Sequence, residues 1–317
     1  MNDPQSFTEK EFETRFRKNV YLLTKNKFPV QNPNGFLLGG QPGAGKSTLH
    51  NIVKSQMQGN IVTIDNDLFK QQHPNFDELV KLHGKEYVSY VTPYSNRMTE
   101  ELIKYLSDRK FNLTIEGTLR TVNVPLNTIN QLIAKDYTVN LYVMAVAKEL
   151  SYLGTLERYE NMFSVDPINA RFTDKAIHDD VVSNLPKNID TLFKSNKLTD
   201  IRLFQRDGSN VFSLSETPSD SPKNALDEIL NQSDHQKQTT LSSEIDQRIK
   251  SLKELFEKNG HLTMPEAKQF LLWAREFTER AQPFSIDRLK QLDSKIKNDQ
   301  QQHNQTNRSI FNEPDRS

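Results

Sequence analysis

The stretch Gly35-Phe36-Leu37-Leu38-Gly39-Gly40-Gln41-Pro42-Gly43-Ala44-Gly45-Lys46-Ser47-Thr48-Leu49-His50-Asn51-Ile52-Val53 decides the fold. Its apolar run Phe36-Leu37-Leu38 reads as a strand. Its amphipathic end, from Ser47 to Val53, reads as a helix. Between them Gly40-Gln41-Pro42-Gly43-Ala44-Gly45-Lys46-Ser47 fits the pattern G-x-x-x-x-G-K-[ST]. Strand, loop and helix in that order are what a phosphate cradle requires. Glycines let the backbone come close to phosphate oxygens, and the helix N-terminus offers N–H groups to an anion. Lys46 reaches the β- and γ-phosphates, and Ser47 is the candidate Mg²⁺ ligand. A glycine-rich turn with a surface lysine is the alternative, and the flanking strand and helix argue against it.

Outward from this loop, further apolar runs recur at Ile61–Ile64, Asn112–Ile115, Val139–Val146 and Ile201–Phe204. Short continuous runs suit strands buried on both faces of a parallel sheet. Segments with helical spacing lie between them, one over residues 97–106, and a helix near residues 7–24 precedes the first strand. Strand and helix alternate, which predicts an α/β three-layer domain.

After about residue 230 the chain turns Gln-rich and nearly free of glycine. Leu241, Ile245, Ile249, Leu252 and Phe256 form one helical stripe. Asn259-Gly260 breaks the chain. Thr263-Met264-Pro265-Glu266 is a capping-box pattern for the next helix, with Leu271, Leu272, Trp273 and Phe277 as its apolar side. Pro283 stops it. Ile286, Leu289, Leu292 and Ile296 mark a third, weaker helix, and Asp299–Gln305 reads as disordered. The expected organisation is an α/β domain with the phosphate loop over 1–235 and a helical, Gln-rich extension over 236–317.

Composition removes several function classes. The 317 residues carry 41 Lys+Arg against 41 Asp+Glu and no cysteine. Without cysteine there is no disulfide framework and no thiolate nucleophile or ligand. A zero balance gives no global electrostatic reason to expect nucleic acid or an anionic membrane. No run of about 18 apolar residues exists to span a bilayer. The polar N-terminus lacks the pattern of a secretion signal. The expectation is a soluble, cytoplasmic chain. The mean hydropathy of -0.72 is low, and the Gln-rich tail accounts for part of it.

Acids at strand ends line the crevice of a parallel sheet. Asp65-Asn66-Asp67 follows Ile61–Ile64, and Glu116 follows Asn112–Ile115. One such acid can accept a proton from an acceptor hydroxyl. Asp65 competes as a helix cap. Asp67, two residues on, is the better candidate for chemistry. Charge spreading over a transferring phosphoryl group calls for further cations. Arg158 and Arg171 are the candidates. Asp166-Pro167 between them suggests a break between two helices, hence a lid-like hairpin. The seven histidines show no metal-ligand spacing.

The ordered set Gly40–Ser47, Ile64–Phe76, Val91–Glu100, Ile115–Thr121 and Ser151–Glu160 resembles the zeta toxin family of bacterial epsilon/zeta toxin–antitoxin systems. The likeness extends to about residue 230. It implies an α/β fold of the P-loop NTPase type, a three-layer parallel sheet resembling nucleotide and small-molecule kinases, with a helical C-terminal extension. It also implies a kinase that uses ATP, or GTP, with Mg²⁺ to phosphorylate a sugar hydroxyl of UDP-N-acetylglucosamine and so poison peptidoglycan synthesis. Under it Gly40, Gln41, Pro42, Gly43, Ala44, Gly45, Lys46 and Ser47 hold the nucleotide, and Ser47 the metal. Asp67 is the general base. Glu100, Glu116, Thr118, Arg120 and Thr128 hold the sugar nucleotide. Lys46, Arg158 and Arg171 stabilise the transferring phosphate. Of the acceptor-site set, Glu100 and Thr128 rest on the resemblance alone. Read from the residues, Glu100 lies on a charged helix face and looks solvated. The implied partner is a small helical antitoxin, in a heterotetramer of two toxins and two antitoxins, with no nucleic acid or membrane partner. Two other classes remain open from sequence: a kinase of another small hydroxyl compound, and an NTP-binding module without catalysis. The first would share loop and base, and only the acceptor-site residues discriminate. The second would need no base.

Overall fold

The β-branched and aliphatic runs form a six-stranded sheet, ordered β2-β3-β1-β4-β5-β6. The strands are β1 (Asn34–Gly39), β2 (Val62–Ile64), β3 (Leu113–Glu116), β4 (Thr138–Met144), β5 (Asp200–Phe204) and β6 (Asn210–Ser213). The first five are parallel, with Leu37 opposite Ile115 on one side and Leu141 on the other. The computed structural model describes residues 4–167, 170–217, 220–232 and 239–281.

The helices are α1 (Glu9–Thr24), α2 (Ser47–Gln56), α3 (Asn66–Lys70), α4 (Phe76–His83), α5 (Tyr87–Asp108), α6 (Asn123–Ile133), α7 (Lys148–Val165), α8 (Lys175–Lys194) and α9 (Pro222–Leu230). A right-handed crossover puts a helix on one face when the chain moves one way along the sheet and on the other face when it reverses. The chain moves one way from β1 to β2, through α2, and the other way from β2 through β3, β4 and β5. Burial agrees. Leu37, Ile115, Leu141, Val143 and Leu203 pack in one cluster with Met98 and Leu102 of α5, Ile129 of α6 and Ile189 of α8. The alternate residues Phe36 and Tyr142 meet ring to ring on the opposite face at 5.3 Å. There Gln56 of α2 accepts a hydrogen bond from the Tyr142 hydroxyl at 3.1 Å. The expected three-layer parallel core is therefore observed.

The differences lie at edges. β6 was not legible in the sequence. It is four residues long, antiparallel, and pairs only with β5. Its signal is the turn Asp207-Gly208, with Gly208 at φ +87. The β4 run was expected to reach Val146 but ends at Met144. Ile61 stands just before β2 rather than in it.

The chain divides into two compact units, Met1–His235 and Gln236–Ser317. Within the second, α10 (Thr239–Lys258) buries the stripe Leu241, Ile245, Ile249, Leu252 and Phe256. α11 (Pro265–Ala281) starts at the expected Thr263–Glu266 segment, one residue later than a cap at Thr263 implies, with a proline in first position where no donor is needed, and it corrects one expectation. Its buried face is Ala267, Phe270 and Ala274, while Leu272 is 62% exposed. Phe270 meets Phe256 of α10 at 5.5 Å between ring centres, which fixes that face. The expected stop at Pro283, the third helix around Ile286–Ile296 and the tail Asp299–Gln305 lie outside the described residues.

Candidate active site

β1 delivers the chain into the glycine loop, and three neighbours then fix it. Gly43 has φ +74, and a Cβ there would lie 2.1 Å from Ser151 O and 2.6 Å from Thr155 N. α7 packs so closely on the loop that only glycine fits. The buried Gln41 donates through Nε2 to Val146 O at 2.7 Å, tying the loop to the end of β4. Arg206, from the turn between β5 and β6, donates to Gly43 O at 2.6 Å and Leu150 O at 3.0 Å. Ser47 opens α2, so the positive end of that helix dipole faces the loop's exit. Lys46 Nζ donates to Gly40 O at 3.4 Å and stands 3.6 Å from Glu116 Oε1.

Glu116 ends β3 beside β1, which brings its carboxylate across to the loop. Its other oxygen, Oε2, accepts from His50 Nε2 at 2.6 Å. Burial pushes this carboxyl up, but the His50 hydrogen bond and the Lys46 charge outweigh burial and hold it below the usual carboxylate range. At the neighbouring strand end, Asp65 caps α3 by accepting from Asp67 N at 2.9 Å. Burial and the like charge of Glu116 raise Asp65 above its ordinary value.

Asp67 follows inside the first turn of α3. Its Oδ1 accepts from Lys70 Nζ at 2.7 Å, and its Oδ2 meets Arg171 Nη1 at 2.9 Å. Burial pushes this carboxyl up as well, and Lys70, Arg171 and Arg158 together bring it below its ordinary value. Arg158 projects from α7 and donates to Thr173 Oγ1 at 3.0 Å. Its burial and the like charge of Arg171 lower it. Arg171 belongs to the connection between α7, which ends at Val165, and α8, which begins at Lys175. The expected break at Asp166-Pro167 is thus present.

The structure therefore gathers Lys46, Asp67, Glu116, Arg158 and Arg171 at the C-terminal ends of β1, β2 and β3. The other residues expected at the acceptor stand differently. Thr118 and Arg120 are exposed on the loop after Glu116. Arg120 Nε pairs with Asp180 Oδ2 of α8 at 2.6 Å. Asn188 holds this loop by donating to Leu119 O and Arg120 O, both at 2.8 Å. Glu100 is exposed on α5, in the turn that meets α3 through Asn66 and Thr99 at 3.0 Å. Thr128, on α6, donates to Val124 O of its own helix at 3.2 Å and no hydrogen bond ties it to the cluster.

Sequence reading missed three neighbours. Lys70 had a signal, a base three residues after an acid on one helix. His50 had a weak one, its place one turn after Ser47. Arg206 had none, because only the folded turn brings it to the loop.

The donor set fits a nucleotide. A glycine loop pinned against α7, a helix N-terminus and a lysine answer phosphate charge. No three His, Asp or Glu side chains form a metal-binding group among the described residues. Mg²⁺ at Ser47 would therefore share its sphere with phosphate oxygens and water, the usual habit of this ion.

A family model described as Zeta toxin matches residues 19–217. The chain belongs to the zeta toxin family. Among relatives, Toxin zeta of Streptococcus agalactiae is 53% identical over 83% of this chain and 89% of its own length. Toxin PezT of Streptococcus pneumoniae serotype 4 is 42% identical over 71% and 89%. A solved structure from the PezAT chromosomal toxin–antitoxin system of Streptococcus pneumoniae superposes with TM-score 0.72 at 38% identity. It covers 80% of this zeta toxin and 99% of the solved chain. By family the protein is a toxin of a toxin–antitoxin system. No helix among its described residues is long and apolar enough to cross a membrane.

Proposed function

We propose that this zeta toxin is a kinase that phosphorylates a sugar hydroxyl of UDP-N-acetylglucosamine. The observation that carries the reading is the gathering of two charge sets at neighbouring strand ends, with Glu116 between them. The phosphate loop and Lys46 stand on one side. Asp67, flanked by Arg171 and Arg158, stands on the other. A switch or binding module needs no carboxylate opposite its phosphates, whereas phosphoryl transfer to an alcohol does.

ATP, or GTP, with Mg²⁺ supplies the phosphoryl group when bound. The chain's residues do the rest. The loop from Gly40 to Ser47 holds the phosphates, and Lys46 turns from Glu116 to them. Asp67 orients the acceptor hydroxyl and takes its proton. Arg158 and Arg171 offset charge spreading over the transferring group. Glu100, Glu116, Thr118, Arg120 and Thr128 form the acceptor site in this reading. Arg120 must then leave Asp180, and Thr128 must turn from its own helix. The product would block an early step of peptidoglycan synthesis, and the work would be cytoplasmic. The unit 1–235 carries the chemistry, with the helices of 236–317 as an added bundle. A helical epsilon-type antitoxin is the partner, two copies binding two toxins.

Incubation with Mg-ATP and UDP-N-acetylglucosamine, followed by mass spectrometry, tests the reading. Wild type should yield a product one phosphate heavier. Asp67→Ala should bind ATP yet yield none, and Lys46→Ala should fail by losing phosphate stabilisation. No adduct from wild type, beside an active control kinase, would refute the proposal.

A further inference from the structure

The two oxygens of the Asp67 carboxylate are held by unlike tethers. Oδ1 takes the ammonium of Lys70, one turn along the same helix, whose side chain is 17% exposed. α3 is itself anchored. Asn66 donates to Asn96 Oδ1 and Thr99 Oγ1 of α5 and accepts from Ser95 Oγ, while Gln72 just beyond the helix accepts from Asn19 of α1 at 2.7 Å. Phe69 is 2% exposed beneath it. Lys70 and Asp67 therefore share a short helix that Asn66 ties to α5. The partner of Oδ2 is different. Arg171 reaches it from the α7–α8 connection, in a separate element.

We propose that Lys70 is a positioning residue that fixes the Asp67 carboxylate through Oδ1 and reserves Oδ2 for the acceptor's proton, with Arg171 occupying Oδ2 at rest. This rests on the kinase reading above. The acceptor O–H bond breaks and its proton goes to Oδ2. Its electron pair forms the new O–P bond as the bond from the γ-phosphorus to the bridging oxygen breaks, and the nucleoside diphosphate leaves. Arg171, released from Oδ2, is then free to join Arg158 on the transferring group. A permanent lysine keeps Asp67 a weak base. That is tolerable because a loose transition state asks the carboxylate for orientation more than for basicity. The charged and titratable groups facing Asp67 are Lys70 and Asp65 at its own helix, Arg171 and Arg158 from the α7 side, Glu116 from β3 and Tyr87 from α5. Of the cations, only Lys70 shares its helix.

The test compares Lys70→Met and Lys70→Arg with wild type in the full chain. It uses steady-state kinetics against pH with Mg-ATP and UDP-N-acetylglucosamine, and carboxyl ¹³C NMR of Asp67 in the ligand-free protein. Lys70→Met should lower kcat by about ten-fold or more. It should leave the KM for ATP within about two-fold of wild type. The acid limb of kcat and the Asp67 titration should both move to higher pH, because a cation that favours the charged carboxylate is gone. Lys70→Arg should restore rate and limb. A Lys70→Met enzyme with wild-type kcat and limb overturns the proposal, as does a rate loss with an unmoved limb and no recovery in Lys70→Arg. A wild-type chain that turns over no UDP-N-acetylglucosamine defeats the kinase reading instead. In that case an unmoved Asp67 titration in Lys70→Met overturns the tether and a raised one upholds it.

Discussion

His50 Nε2 on α2 lies 2.6 Å from Glu116 Oε2 at the end of β3, while Lys46 holds the other oxygen of that carboxylate. Glu116 thus links the phosphate-loop lysine to the helix that follows it. In the proposed function Lys46 turns to phosphate, and His50 is then the group that still holds Glu116. His50→Ala should weaken acceptor binding by about 1.5 kcal/mol, the worth of a hydrogen bond to a charged group, roughly ten-fold in affinity. ATP affinity should change little. Titration calorimetry of UDP-N-acetylglucosamine against both proteins decides, and equal affinities would show that His50 only fills space.

Gly43→Ala should break the cradle without touching any charge. The φ of +74 alone costs an alanine about 1–2 kcal/mol. The contact of 2.1 Å with a backbone oxygen of α7 cannot be relieved by rotating a side chain, so loop or helix must shift. Nucleotide binding should fall by at least about ten-fold, with a lower melting temperature. Fluorescence titration with a nucleotide analogue and a thermal melt check both. Wild-type binding in the variant would mean that the loop is looser than its packing indicates.

The parallel core was legible because burial on both faces writes itself as continuous apolar runs, as at Phe36–Leu38. The loop was legible because phosphate binding needs particular residue types at fixed spacing. That Asp67 and Glu116 lie close together was legible because the C-terminal ends of parallel strands share one edge of the sheet. What escaped has a physical reason. β6 is short, half-exposed and pairs on one side only, so its residues carry little apolar pattern. The buried face of α11 was misjudged because a Leu-Leu-Trp run outweighs two alanines in a sequence, whereas Phe270 decides which face meets Phe256. Arg206 touches the loop only through a turn far along the chain.

Part of the stability that the chain loses in acid should come from the site. Asp67 and Glu116 both titrate below their ordinary values. Each therefore adds stability that is complete above the unfolded-state value, about pH 4, and is lost as pH falls through the lowered folded value. Asp65 is raised, so it takes up its proton earlier in the folded chain and offsets part of that loss. The melting temperature should hold from neutral pH to about 5 and drop below about 4. The drop should be shallower in Asp67→Asn and Glu116→Gln. Melts of the three proteins across that range are the check, and parallel curves would assign the acid transition elsewhere.

Arg206→Ala should separate nucleotide binding from acceptor binding. The guanidinium joins Gly43 O of the loop to Leu150 O of α7, and the Arg206 carbonyl accepts from Thr48 Oγ1 of α2 at 3.3 Å. The β5–β6 turn thus clamps both ends of the cradle from outside. Without the side chain the loop loses its outer support and must be ordered by the phosphates themselves, so ATP affinity should fall by about 2 kcal/mol, roughly thirty-fold. Glu116 and Asp67, which the proposed function places at the acceptor hydroxyl, make no hydrogen bond to this clamp, so the affinity for UDP-N-acetylglucosamine should be unchanged. Arg206→Lys should recover part of the loss, since a single nitrogen, Nη2, meets both carbonyls and an ammonium has donors for two, though on a more flexible stem. Separate titrations of ATP and acceptor decide the matter. An equal loss for both ligands would mean that the clamp supports the whole fold rather than the nucleotide loop.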